Sequence, residues 1–135
     1  MAQQYKFSIQ ATADTVETAI NQISHYCISI GFNNDECFRI QVVLAEALNN
    51  IIEHALLGRH NEFIEIHYQS HKSMFIINII DRGTPLLSPP NSELPTWEAE
   101  SGRGWPIIYS WMDEVSHQHS NNKNQLILKK YLPTI

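Results

Sequence analysis

The feature that most constrains this sequence is an almost uninterrupted apolar run, SMFIINIID, at residues 73–81. A strand of that composition belongs in the middle of a sheet that is covered on at least one face. The stretch before it, EFIEIHY at residues 62–68, alternates apolar and polar residues and is joined to it by a short polar turn. Together the two stretches predict a β-hairpin.

Two helices are predicted between an N-terminal strand at residues 4–11 and this hairpin. Two residue pairs have the spacing of a capping box, in which an Asp or Asn precedes a Glu by three residues: Asp14 with Glu17, and Asn33 with Glu36. The first helix is predicted to end at Gly31. The second helix is predicted to run from about Asp35 to Leu57 and to stop at Gly58.

After residue 81 the chain is predicted to form a long loop, a third helix and a second hairpin. The segment 82–103 is rich in proline and lacks clear periodicity. A loop of this length inside a compact domain indicates either a functional lid or a wrong assignment. Pro106 suits the first turn of a helix. Residues 114–120 and 125–132 then predict two strands around the turn NNKN.

The predicted order β-α-α-β-β-loop-α-β-β indicates an α+β fold. We expect a two-layer α/β sandwich, with a mixed, mostly antiparallel sheet and with helices on one face. The chain has 135 residues, so we expect a single domain spanning residues 1–135.

Composition and charge argue against several classes of protein. The formal net charge is −5 and there is no basic cluster, so nucleic acid is not an expected partner. No window reaches the ~18 apolar residues of a membrane span, and the N-terminus lacks the features of a signal peptide. We therefore expect a cytoplasmic protein without membrane contact. Cys27 and Cys37 form no C-x-x-C motif and are expected to be small core residues.

A polar stripe interrupts the apolar second helix in the stretch EALNNIIEHALLG, residues 46–58. The stripe consists of Glu46, Asn49, Asn50 and Glu53. These side chains share one face because each helical residue advances by ~100°. The stripe is either a solvated surface or a functional site. A solvated surface would favour Glu–Lys pairs over Asn, whereas a carboxylate one turn from an amide can hold a cation such as Mg²⁺.

Two further motifs contain glycine at turns. In DRGTP, residues 81–85, Asp81 ends the apolar strand and Gly83 reverses the chain. This motif is either an ordinary turn or a carboxylate at the floor of a pocket, where it can accept from a ligand amine while Gly83 permits close backbone approach. In SGRGWP, residues 101–106, two glycines precede a helix, and a helix N-terminus is suited to binding anions.

In combination these motifs resemble the nucleotide-binding boxes of the ATPase superfamily shared by histidine kinases, DNA gyrase and heat-shock chaperones. More narrowly, the stretches EALNNIIEHA, DRGTPL, EAESGRGW and WMDEVSH resemble the anti-sigma-factor serine/threonine kinases of bacterial partner-switching systems. The resemblance covers nearly the whole chain, including the N-terminal strand and the first helix.

The resemblance implies roles for three polar residues. Glu46 matches the family's catalytic carboxylate, which is expected to act as general base on a substrate hydroxyl. Asn50 matches the ligand of Mg²⁺. Asp81 matches the aspartate that reads the adenine amino group of ATP.

The resemblance also implies which residues surround the nucleotide. Gly83, Gly102 and Gly104 match the glycines around it, and residues from about 83 to 103 become the ATP lid. Arg103 either contacts the phosphates or faces solvent.

The implied function is that of a kinase that uses ATP and Mg²⁺. It would phosphorylate a Ser or Thr of a small anti-sigma-factor antagonist and would sequester a sigma factor or an equivalent regulator. A homodimer is a further expectation. The alternative is a non-catalytic ATP-binding module that gates partner binding without phosphoryl transfer. Trp105 and Pro106 depart from the family, which generally has aliphatic residues or Phe there.

Overall fold

The computed structural model describes residues 3–85 and 104–133. The elements follow the order β1 (Tyr5–Gln10), α1 (Ala13–Ser29), α2 (Asn34–Asn50), a π-helical turn (Ile51–Ala55), β2 (Phe63–His71), β3 (Met74–Asp81), α3 (Gly104–Trp111), β4 (Glu114–Ser120) and β5 (Lys123–Tyr131). Most of the predicted lid, with Gly102 and Arg103, lies outside the described residues. In the described ranges, no helix has the length and apolar character needed to cross a membrane.

The five strands form one sheet in the order β1-β2-β3-β5-β4. All four neighbouring pairs are antiparallel. The strands β3 and β4 run in the same direction, but they are not neighbours because β5 lies between them. The sheet, predicted to be mixed and mostly antiparallel, is antiparallel throughout the described strands. The predicted α+β sandwich and the interior position of the apolar strand are confirmed.

The helices cover one face of this sheet, and the burial of β3 alternates accordingly. Phe75, Ile77 and Ile79 are fully buried and belong to one cluster with apolar residues of α1 and α2. The residues between them on the strand are partly exposed. Cys27 and Cys37 are buried free thiols of the helical layer, as expected.

One of the two predicted helix caps is confirmed. The side chain of Asn33 accepts from the backbone N–H of Glu36 at 2.8 Å, and the Glu36 carboxylate accepts from the backbone of Asn33 at 3.2 Å. The predicted pair of Asp14 and Glu17 is wrong, because Thr12 caps α1 instead. Asp14 lies in the first turn, where a carboxylate favours the positive end of the helix.

The second helix is not one regular α-helix to residue 57. It is α-helical as far as Asn50 and then forms the π-helical turn, in which the N–H of Leu56 donates to the carbonyl of Ile51 at 2.8 Å. The predicted end of the helical segment at Gly58 is confirmed, since Gly58 has a φ of +74°, which is typical of a glycine that terminates a helix. Single π turns often lie at functional sites, because the extra residue changes the direction in which neighbouring groups point.

Both hairpins have two-residue turns with positive φ angles. Lys72 and Ser73 join β2 to β3 with φ of 51° and 62°, and Asn121 and Asn122 join β4 to β5 with φ of 53° and 62°. Turns of this kind match the twist of antiparallel strands. The second turn sets the register in which β4 and β5 reach the end of the sheet.

Candidate functional site

A cavity of about 520 Å³ lies where β3 ends, and its size falls in the range of ligand sites. Its walls come from the junction of α2 with the π-helical turn, the segment after β3, the first turn of α3, and the hairpin of β4 and β5. The lining residues are Asn50, Ile51, His54, Ala55, Asp81, Thr84, Pro85, Trp105, His117, Gln118, His119, Asn124, Gln125 and Leu126.

The structure brings only some of the predicted site residues to this cavity. Asn50 and Asp81 line it, although 31 positions separate them in the sequence. Gly83 follows Asp81 and is hydrogen-bonded to it. Glu46 and Gly104 contact each other at a neighbouring place that is not part of the cavity wall.

The polar wall of the cavity is a row of three side chains on three adjacent strands. Asp81 on β3 pairs with Asn124 on β5, and Asn124 pairs with His119 on β4. Residues paired across antiparallel strands point to the same face. The next row, toward the core, contains Leu126 and His117. The topology of the sheet therefore places a row of three polar side chains at its end, with the side chain of Leu126 and the ring of His117 behind it.

Asp81 is buried, with 4% of its surface exposed, and its carboxylate is held on one side. Its Oδ1 accepts from the backbone N–H of Gly83 at 2.8 Å and from Nδ2 of Asn124 at 2.8 Å. The same Nδ2 donates to the carbonyl of Gly83 at 2.9 Å. Asn124 was assigned from sequence to a turn, and its role follows only from the pairing of β3 with β5.

Gly83 is required by the close approach of the π-helical turn. A Cβ atom at this position would overlap the carbonyl group of Ala55. The backbone N–H of Thr84 donates to that same carbonyl oxygen at 2.8 Å. A contact within the protein is thus one reason why residue 83 is a glycine. Its position next to a ligand stays a prediction.

The polar stripe of the second helix has two different halves. Asn49 and Glu53 are exposed, so the solvated interpretation is correct for them, whereas Glu46 and Asn50 are partly buried. The side-chain nitrogen of Asn50 is buried and has no hydrogen-bond partner among the described residues. Since buried polar atoms are nearly always paired, this amide is suited to a ligand.

Glu46 lies against the first residue of α3. Gly104 is buried, and a Cβ atom there would lie 2.5 Å from Oε2 of Glu46. The helix begins at Gly104, two residues before Pro106, so the proline falls in the first turn as predicted. A carboxylate is favoured beside the positive end of a helix.

An aromatic cluster forms part of the cavity wall. The rings of Trp105 and His117 have centroids 4.9 Å apart at an angle of 62°, and the hydroxyl of Tyr109 lies 3.5 Å from Nε2 of His117. Burial lowers the pKa of His117 and favours its neutral form. Within the described residues there is no group of three or more His, Cys, Asp or Glu side chains that could hold a metal ion.

Comparison with known families identifies the family of the chain. The sequence model of the histidine kinase-like ATPase domain matches residues 9–130. The chain belongs to this family. The predicted superfamily is confirmed, and membership of an ATPase family implies ATP as the ligand.

Curated relatives of this ATPase domain carry the names that the resemblance predicted. The serine/threonine-protein kinase BtrW of Bordetella bronchiseptica is 25% identical over 128 residues, covering 91% of this chain and 90% of that protein. An anti-sigma F factor of a Geobacillus species is 29% identical over 104 residues, covering 73% and 71%. An anti-sigma F factor of Halalkalibacterium halodurans is 24% identical, covering 85% and 82%.

Solved structures show the same fold at low sequence identity. The structure of the RsbU and RsbW domains of Rv1364c from Mycobacterium tuberculosis matches with a TM-score of 0.69 and 17% identity. The match covers 96% of this chain and 32% of that one, so this chain spans about a third of its length. A chain of the SiaB–SiaC complex from Pseudomonas aeruginosa matches with a TM-score of 0.62 and 12% identity, covering 95% and 89%.

Proposed function

We propose that this ATPase domain is a Mg·ATP-dependent serine/threonine protein kinase and an anti-sigma factor of a partner-switching system. Its substrate would be a small anti-sigma-factor antagonist, and its second partner a sigma factor or an equivalent regulator. The observation that carries the proposal is the buried carboxylate of Asp81 at the wall of a ligand-sized cavity. The names of its relatives support the kinase and anti-sigma roles.

The residues at the cavity fit a nucleotide. Asp81 lines the cavity, and its Oδ1 is occupied by two donors from the protein. Its other oxygen is suited to accept from the amino group of adenine. The apolar side chains of Ile51 and Leu126 and the ring of Trp105 offer surfaces for a flat base.

The residues also fit the magnesium ion that accompanies ATP. Asn50 lies on the cavity wall. Its atom without a partner among the described residues is the side-chain nitrogen, a donor that is suited to a phosphate oxygen and cannot hold a cation, so the amide oxygen would be the metal ligand. An amide oxygen is a normal ligand for a hard cation. In phosphoryl transfer such an ion neutralises the charge that develops on the phosphates. We propose that Asn50 holds it.

Glu46 is the proposed general base. It lies one helical turn before Asn50, and no Lys or Arg of the described residues forms a salt bridge with it. With no cationic partner among those residues, its carboxylate is available to take the proton from a Ser or Thr hydroxyl. Its carboxylate lies against Gly104, the first residue of α3.

The decisive experiment replaces Glu46 by Gln and measures transfer of the γ-phosphate to the cognate antagonist. The amide keeps the shape of the side chain but cannot act as base, so the rate should fall by roughly 10²–10⁴-fold. Binding of ATP should stay within a few-fold. Glu53→Gln is the matched control, because Glu53 is on the same stripe and 69% of its side chain is exposed.

The same assay separates the kinase from the binding module. Equal rates for the parent and Glu46→Gln would remove Glu46 from the mechanism. If the parent transfers no phosphate to its cognate antagonist but its affinity for that partner changes with ATP, the protein is a non-catalytic regulatory module.

A further inference from the structure

The row formed by Asp81, Asn124 and His119 has a defined direction of hydrogen bonding. The carbonyl of Gly83 can only accept, so the Asn124 group that lies 2.9 Å from it must be the NH₂. The same NH₂ donates to Oδ1 of Asp81 at 2.8 Å, and both of its hydrogens are therefore used. The oxygen of Asn124 must then face Nδ1 of His119, 2.8 Å away. It follows that Nδ1 of His119 carries a hydrogen.

This direction of hydrogen bonding gives the two carboxylate oxygens of Asp81 different partners. Oδ1 receives two hydrogen bonds, one from the backbone of Gly83 and one from Asn124. Within the described part of the chain, no donor is recorded for Oδ2. Because Asp81 lines the cavity, Oδ2 is the oxygen left for a ligand, and it can act there only as an acceptor while the carboxylate is ionised.

We propose that Asn124 and His119 are positioning residues that set the base specificity of the site. Asn124 holds the carboxylate of Asp81 in one orientation, and His119 holds Asn124 with its NH₂ toward Asp81. The site would then select a purine with an amino group at position 6 and reject one with a carbonyl oxygen there. This inference rests on the proposed role of Asp81 in reading adenine.

The physical reason for selectivity is the cost of an unmatched polar contact. A carbonyl oxygen placed against the carboxylate oxygen would leave two acceptors facing each other in a buried site. If Asn124 did not hold Asp81, the carboxylate could rotate and would no longer present one fixed acceptor to the amino group of the ligand. A site that is built to hydrogen-bond one group discriminates strongly against an analogue that lacks it.

The test compares ATP and GTP binding, measured by calorimetry, in the parent and in Asn124→Ala. The ratio of the two affinities should fall by about tenfold, because the loss falls on ATP. A purely structural role would weaken both nucleotides equally and leave the ratio unchanged. Ser116→Ala is the control, since Ser116 is exposed and lies on the neighbouring strand β4.

A second pair of variants tests His119, which is exposed and tolerates replacement more readily. An Asn side chain presents an NH₂ near the position of Nδ1, so His119→Asn should keep the parent's ratio of affinities. His119→Ala removes the donor, and the ratio should fall by about threefold, a smaller effect because the hydrogen bond is exposed. This pair keeps the test valid if Asn124→Ala does not fold.

Each outcome bears on a specific statement. An unchanged ratio in Asn124→Ala, or equal losses in His119→Asn and His119→Ala, overturns the positioning role while ATP binding stands. A parent that binds no ATP overturns the proposed function and this inference together. If Asp81→Asn loses ATP but the variants of Asn124 and His119 keep the ratio, only the present inference fails.

Discussion

The backbone N–H of Thr84 donates to the carbonyl of Ala55 at 2.8 Å, and this bond ties the segment after β3 to the π-helical turn. Gly83 lies between that bond and the carboxylate of Asp81. The wall that holds Asp81 and the helix that holds Asn50 are therefore connected through the protein backbone.

Replacing Gly83 by Ala should destabilise the fold. The added Cβ would overlap the carbonyl of Ala55, and a backbone neighbour cannot move away cheaply. Overpacking of this kind typically costs about 1–3 kcal/mol, which denaturant unfolding can measure. Arg82→Ala, at an exposed neighbouring residue, should change the free energy of unfolding by less than about 0.5 kcal/mol. Equal stability of both variants and the parent would show that the contact is looser than described.

Replacing Asp81 by Asn should weaken ATP binding about tenfold or more. The new amide must present its NH₂ either to the donors from Gly83 and Asn124 or to the ligand's amino group. In both orientations two donors face each other. Calorimetry checks the prediction, and equal affinities in the variant and the parent would contradict the assignment of Asp81.

Replacing Asn50 by Ala should weaken nucleotide binding much more in Mg²⁺ than in EDTA. The reason is that an amide ligand of the cation is lost, while the contacts to the base remain. Asn49→Ala is the matched control, since Asn49 is the adjacent residue of the same helix and is exposed. If Asn50→Ala shifts affinity equally under both conditions, Asn50 has a packing role only.

His117 should make the protein less stable in mild acid. Burial lowers its pKa in the folded state, so the unfolded chain takes up a proton first as the pH falls through about 6.5. The contribution of the neutral His117 ring to the stability of the folded protein is therefore complete above that pH and is lost as the pH falls further. Denaturant midpoints at pH 7.5 and 5.5 should therefore differ less in His117→Gln than in the parent. His25→Gln, at an exposed histidine, should retain the parent's dependence on pH.

Much of the fold follows from local patterns. The run at residues 73–81 predicts an interior strand because a strand at the edge of the sheet would leave much of this apolar surface exposed. The pair of Asn33 and Glu36 predicts a helix start because its hydrogen bonds are local. The same spacing between Asp14 and Glu17 led to a wrong prediction, because Thr12 caps the helix and the helix begins earlier than predicted.

The remaining features depend on contacts between distant parts of the chain. The residues of the π-helical turn have an ordinary helical composition, and the turn meets the segment at Gly83 and Thr84 only in the folded protein. Asn124 likewise reaches Asp81 only because β5 lies beside β3. Strand order is not encoded in the periodicity of any one segment, so the polar row could not be predicted.

The turn at Asn121 and Asn122 has a consequence for which changes of chain length the protein tolerates. Surface turns of this kind normally accept insertions and deletions. Here the turn lies between His119 and Asn124, which must stay opposite each other. One additional residue that shifted β4 along β5 would carry His119 to the other side of the sheet. An alteration at a solvent-exposed loop, with every residue of the cavity retained, would then remove the outer member of the polar row.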